Sequence, residues 1–194
     1  MLVIAMETGV PPGGRARWAG RRHDDEEADA SSGVSPADLF DHVFRALHDG
    51  EQVALGLDCP LSVTLFGNPR DAAVLSELAE SAAAWPGLAE LGHLFGELGT
   101  WRPWTRVSTS LARWRANTSI LVWQAGLAPG SSGVTARAAV GSFFRQLPVA
   151  RARATDEDAG AVVNLAAAAA RRARLFVDPS ELSRPPVTIT VTDG

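Results

Sequence analysis

The chain has one cysteine, no lysine and no apolar run of membrane-spanning length. A lone Cys59 excludes an internal disulfide and fits a reducing compartment. The run Leu165–Ala170 falls far short of the ~20 apolar residues that cross a bilayer. Leu2–Met6 is apolar, but it is too short for a secretory signal and no basic segment precedes it. These absences predict a cytoplasmic protein with no membrane partner. All 18 basic residues are arginine, which reflects GC-rich coding rather than a function. Internal repeats and interdomain linkers are also lacking.

What is present is an ordinary globular composition. The chain has 194 residues, 46% of them hydrophobic and 21% charged. That is one domain with enough apolar residues to bury a core. Charge is unevenly spread. Residues 1–97 carry a net −10, residues 98–155 a net +8 with no acid at all, and residues 156–194 a net −2. An acid-free basic segment in an acidic protein has two readings. It meets a phosphate-bearing ligand locally, or its arginines pair with acids elsewhere in the fold.

Hydrophobic patterning predicts a mixed α/β domain. Leu2–Thr8 reads as a first strand ending at Glu7, closed by the turn sequence GVPPGG. Arg15–Gly20 alternates like a hairpin partner. Residues 21–34 are charged and small and read as a solvated, mobile loop in which a third edge strand is lost or frayed. Ser35-Pro36-Ala37-Asp38 starts a helix with a cap, a proline at the first position and an acid in the first turn. Its apolar face is Leu39, Phe40, Val43, Phe44 and Leu47, and Asp49-Gly50 ends it.

Gln52–Pro60 (QVALGLDCP) is the organising stretch. An apolar run stops at Asp58 and then at a Cys-Pro break. It reads as a buried strand of a parallel or mixed sheet, delivering a carboxylate at the edge where α/β sheets bind ligands. Further helices are predicted from Asn68 to about Ala84, over Leu88–Leu98, and over Thr135–Leu147 with Pro148 as the stop. Ser119–Ala125 is another buried strand and Gly126–Gly133 a loop. Thr155-Asp156-Glu157-Asp158 reads as the opening of a last helix reaching Phe176, and Pro185–Thr192 as a final edge strand.

Three acidic positions stand out by place. Glu7 and Asp58 end neighbouring strands, and Asp156 and Asp158 lie in the first turn expected for the last helix. Asp158 is the better of that pair, because helical spacing puts it on the face of Val162, Leu165 and Ala169. Converging carboxylates of this kind hold one or two Mg²⁺ ions, which need hard oxygen ligands. Each acid also has a plain reading: Asp156 and Asp158 offset a helix dipole, Glu7 faces water at a strand end, and Asp58 caps the following turn. The arginines interleave with Trp101, Trp104 and Trp114, a pattern that suits either base stacking or a tryptophan-rich lid on the core.

At four places the residues resemble a family. Ile4–Gly9 (IAMETG), Leu57–Leu61 (LDCPL), Ile120–Ala125 (ILVWQA) and Asp156–Ala169 (DEDAGAVVNLAAAA) look like the RNase H-like fold, and more narrowly the RuvC-related RNase H-like nucleases. The resemblance covers most of the chain. It implies a single RNase H-like domain with a mixed sheet flanked by helices. It also implies a phosphodiesterase or nuclease acting on nucleic acid with Mg²⁺ or Mn²⁺. Glu7, Asp58 and Asp158 would hold the metal, with Asp156 as substitute, and Arg113, Arg115, Arg151 and Arg153 would meet phosphates. Three departures stand against activity. Glu7 replaces the usual Asp, Gln124 stands where relatives carry Glu, and Val134-Thr135-Ala136-Arg137 replaces a His or Asp. The alternatives are an inactive RNase H-like module that binds a protein or nucleic acid, and an actin-like phosphotransferase, for which a second glycine-rich phosphate loop is missing. Whether the chain forms a homo-oligomer is not fixed by these residues. The histidines have no ligand spacing with Cys59, so a zinc site is not expected. Cys59 reads as a buried, inert thiol.

Overall fold

A computed structural model describes residues 1–8, 17–26, 30–64, 86–114, 118–127, 135–153 and 162–191. Leu2–Met6 forms β1 and Trp18–Arg22 forms β2, paired antiparallel. Ser31–Gly33 forms β3, antiparallel to β2. The stretch expected to be a loop over 21–34 is therefore partly strand. Arg21 and Arg22 continue the ladder against Val3 and Leu2. Gly33 lies under the Trp18 ring, where a β-carbon would come within 2.8 Å of the indole nitrogen. Small residues at this edge let an aromatic ring cover a strand that composition alone reads as solvated.

Helix α1 spans Pro36–His48. Ser35 caps it, its hydroxyl accepting from Ala37 N–H at 3.2 Å. Leu39, Phe40, Val43 and Leu47 are buried as the spacing predicts. Gly50, at φ +77°, turns the chain out of the helix in a conformation that favours glycine. The chain then enters β4, Val53–Leu57, which is buried throughout. β4 runs parallel to β1 on one side and to β7 (Ile120–Leu127) on the other. It has no solvent face, which is why its sequence is a continuous apolar run rather than an alternating one.

The remaining elements complete the layers. Ser62–Thr64 (β5) pairs antiparallel with Val162–Asn164 (β8) in a small second sheet. Pro86–Trp101 is α2, Val107–Ser108 is β6 and Leu111–Trp114 is the short α3. Ala136–Arg153 is α4, Leu165–Arg172 is α5, Pro179–Ser183 is a 3₁₀ turn and Thr188–Val191 is β9. The main sheet is mixed and seven-stranded, in the order β3-β2-β1-β4-β7-β6, with β9 also pairing β7. One face, with Ile4, Leu55, Leu57 and Val122, packs on α1, α2 and α5. The other, with Val3, Ala54, Leu121 and Trp123, packs on α4 and α3. The expected α/β domain with a mixed sheet flanked by helices is what the chain forms. Among the described residues, no helix is long and apolar enough to cross a membrane.

Helix boundaries differ from the sequence reading, most of all in α4 and α5. Helix α4 continues through Pro148 to Arg153. One missing N–H leaves the hydrogen bonds of the turns on either side in place, so proline weakens this helix without ending it. The last helix begins at Leu165 rather than near Thr155. The β-branched pair Val162-Val163 favours a strand and finds an antiparallel partner in β5. Asn164 then caps α5, its Oδ1 accepting from Ala167 N–H at 3.0 Å. Val162 is thus not helical, and the helical spacing that placed Asp158 beside it does not apply. Strand β7 also runs two residues beyond Ala125, into the stretch expected to be loop. The helix expected over Asn68–Ala84 lies outside the described residues.

Candidate functional site

Strand register brings two of the expected acids together. Met6 is opposite Leu57 in the parallel β1–β4 pair, so Glu7 and Asp58 stand next to each other as the two strands end. The Asp58 N–H donates to Met6 O at 3.4 Å, which extends the ladder by that one step. Neighbouring strands are ~4.8 Å apart, and side chains in register share a face. Both acids therefore sit at the carboxyl edge of the central strands, and Glu7 reaches the side covered by α4.

Each carboxylate is tied to a main-chain N–H. Glu7 is 7% exposed, and its Oε1 accepts from Ala136 N–H at 3.0 Å. Ala136 is the first residue of α4, so the Glu7 charge lies at the positive end of that helix dipole. Asp58 Oδ1 accepts from Thr8 N–H at 2.6 Å, which folds the end of β1 against the end of β4. Arg17 adds a cation that the sequence pattern does not single out. Its Nη2 donates to Glu90 Oε1 at 2.7 Å and to Glu7 O at 3.4 Å. Nothing in the local sequence marks Arg17, because its partners lie at the end of β1 and on α2. The first turn of α2 packs close by: a β-carbon at Gly87 would collide with Thr8 and lie 2.8 Å from Cys59 Sγ.

No family model, no curated protein and no solved structure matches this chain. What the site can do follows from its own chemistry.

The other expected site residues are placed as follows. Gln124 is opposite Leu57, one step before Asp58 and hence on the other face of the sheet. Its Oε1 accepts from Leu61 N–H at 3.0 Å and fastens the segment after β4. The Gln124 amide is thus a structural clamp. Asp156, Asp158 and Arg115 lie outside the described residues, and Arg151 and Arg153 are placed only as the last backbone positions of α4. Among the described residues, no group of three or more His, Cys, Asp or Glu side chains is arranged to hold a metal.

Arg113 is at the opposite end of the sheet. Its carbonyl accepts from Thr118 Oγ1, and Gln52, just before β4, donates to Thr118 O at 3.1 Å. At ~3.3 Å per residue, Gln52 lies about 20 Å along the strand from Asp58. The Arg113 guanidinium is 2.6 Å from Asp178 Oδ1. Hydrogen bonds from Ser180 to Asp178, reinforced by Arg113, hold the Asp178 carboxyl down at about 2. This arginine of the basic segment answers an acid within the fold.

Cys59 is buried, as expected. Burial first, and the Asp58 charge second, push its thiol up to about 12 from 9.0. Its thiolate fraction at pH 8 is then about a thousandfold below that of a free thiol. A thiol-specific disulfide reagent at that pH is expected to label the native protein at least about a hundredfold more slowly than the denatured chain. Equal rates would show that Cys59 is open to solvent.

One buried polar cluster has no signature in the sequence pattern. Glu181, 1% exposed, accepts from Ser108 Oγ at 2.7 Å, from Thr109 Oγ1 at 2.8 Å and from Thr109 N–H. Thr109 Oγ1 in turn accepts from Asn164 Nδ2 at 2.7 Å, and the same nitrogen reaches Arg184 O at 2.9 Å. The cluster fastens the end of β6 to the cap of α5 and the 3₁₀ turn. Both of its carboxylate oxygens have protein donors, so it is a structural knot rather than a binding site.

Proposed function

We propose that the protein is a divalent-metal-dependent phosphodiesterase of RNase H-like type acting on nucleic acid. The observation that carries this reading is the Glu7–Asp58 pair, side by side at the carboxyl edge of parallel central strands. The order β3-β2-β1-β4-β7 supports it, since it sets the two acid-bearing strands β1 and β4 parallel and adjacent at the centre of the sheet. Mg²⁺ commonly takes one or two carboxylates and completes its octahedron with water and substrate phosphate, so two adjacent carboxylates suit it. Glu7 and Asp58 would hold the ion, with Asp158, or Asp156 as its substitute, the further acid that the resemblance implies. An Mg²⁺ ion held by these residues would supply Lewis-acid polarisation of a phosphoryl oxygen. The Ala136 and Thr8 N–H groups orient the two carboxylates, and Arg17 offers its charge to a phosphate nearby. Burial of Glu7 keeps bulk water from that side of the pair.

The test is a calorimetric titration with Mg²⁺ and with Mn²⁺. Saturable binding is expected, weakened at least about tenfold in Asp58→Asn, because an amide is a neutral ligand in place of an anionic one. Absence of saturable binding to the natural protein would discard the metal reading. A second reading would then stand: a non-catalytic module of the same fold. The commitment of Glu7 Oε1 to the α4 N-terminus and of Gln124 to Leu61 favours that reading, because both groups then serve the fold.

A further inference from the structure

Two segments about 70 residues apart in sequence meet at the amino edge of the sheet. Residues 101–107 read WRPWTRV and residues 171–177 read RRARLFV, and neither contains an acid. They are joined along their backbones. Phe176 N–H donates to Thr105 O at 3.0 Å, Val107 N–H to Phe176 O at 2.9 Å, and Trp104 N–H to Arg174 O at 3.3 Å. Trp104 is 72% exposed and Phe176 48%. These are large exposures for aromatic rings, which fold energetics ordinarily buries. Arg106 lies over the Phe176 ring, 5.4 Å from its centroid. Arg106, Arg171, Arg172 and Arg174 are exposed, and among the described residues none of them has an ion-pair partner.

The backbone here is also strained. Among the described residues, the non-glycine positions with positive φ are Trp104 (67°) and Arg174 (63°), and these two are hydrogen-bonded to each other. Left-handed backbone disfavours side chains with a β-carbon, and such strain persists where the side chain presented has a use. Nearby groups serve the fold instead: Arg102 Nη1 donates to Leu47 O at 2.6 Å, and Trp101 packs on Phe44. The rings and guanidiniums that remain form a pinned, alternating surface.

We propose that this surface binds single-stranded nucleic acid. Bases stack on Trp104 and Phe176, and phosphates meet Arg106, Arg171, Arg172 and Arg174. Unpaired bases expose the π-faces that such rings recognise, and the nucleic acid backbone supplies anions for these four arginines. A membrane surface fits less well, because interfacial binding needs a continuous apolar face rather than two rings separated by charges. The surface lies by β6 and the start of β7, at the end of the sheet away from Glu7 and Asp58. It does not depend on the metal reading.

The test is fluorescence anisotropy with a labelled oligothymidylate of about 15 nucleotides at about 50 and 200 mM salt. Trp104→Gly and Arg174→Gly suit the test because glycine accepts the local φ, so the fold is retained. Each, and Arg106→Gln, is expected to weaken binding at least about tenfold, with a shallower salt dependence in the arginine variants. In metal-free buffer the strand-end acids hold no ion for a phosphate, so oligonucleotide binding there reports on this surface alone and the two sites fail or stand separately. Absence of binding at low salt, equal binding by the Trp104 and Arg106 variants, or Trp104-dependent uptake onto phosphatidylserine vesicles without oligonucleotide binding would each overturn the proposal.

Discussion

A Gly56→Ala variant is expected to lose about 3 kcal/mol of stability, the upper range for overpacking a filled core. Gly56 lies in the middle of β4, opposite Trp123 of β7. A β-carbon there would sit 2.5 Å from Trp123 Cη2 and closer still to Cζ2 and Cε2. The indole has nowhere to go: it is fully buried and packs against Phe143, itself fully buried, with ring centroids 5.0 Å apart. Relief must come from the backbone of the central strand, which carries hydrogen bonds on both sides. Denaturant unfolding should show a lower midpoint with an unchanged slope. Trp123→Phe removes the crowded ring atoms, so Gly56→Ala with Trp123→Phe should cost less than the two single changes together. A neutral Gly56→Ala would mean that the Trp123 ring does not cover β4.

Glu181→Ala should be still more damaging, at about 4 kcal/mol, because three donors are left buried without an acceptor at ~1–3 kcal/mol each. Its carboxylate is the acceptor for Ser108 Oγ, Thr109 Oγ1 and Thr109 N–H. Whole domains are stable by only ~5–15 kcal/mol, so this is a large share. Glu181→Gln keeps the shape and one acceptor oxygen but presents an amide N–H₂ to one of the donors. Its expected loss is about half that of Glu181→Ala. The measurement is the same unfolding titration. An alanine variant as stable as the natural protein would show that the cluster is hydrated rather than buried.

The acids at the two strand ends are legible in the sequence because each sits where an apolar run stops. Register adds what spacing lacks, placing Glu7 beside Asp58 and sending Gln124 to the opposite face. The misreading of Val162–Asn164 as helix has a definite cause. Three residues with two β-branched side chains are too few to show a strand period, and their partner, β5, is about 100 residues away. Arg17, Glu181 and Asn164 escape a sequence reading for a related reason. Their roles depend on partners on other elements, and neither composition nor periodicity carries that information.

Local sequence by itself determined the buried strands β1, β4 and β7, the capped helix α1, the mixed α/β class and the two strand-end carboxylates. These follow from short-range causes: apolar runs, caps, and turn residues with restricted φ. Tertiary structure alone decided which strand-end acids become neighbours. It turned Arg113 toward Asp178, and it joined two arginine-rich segments into one exposed aromatic surface. Those outcomes rest on strand order and register, and pairing between distant segments is fixed only when the whole sheet closes around its core.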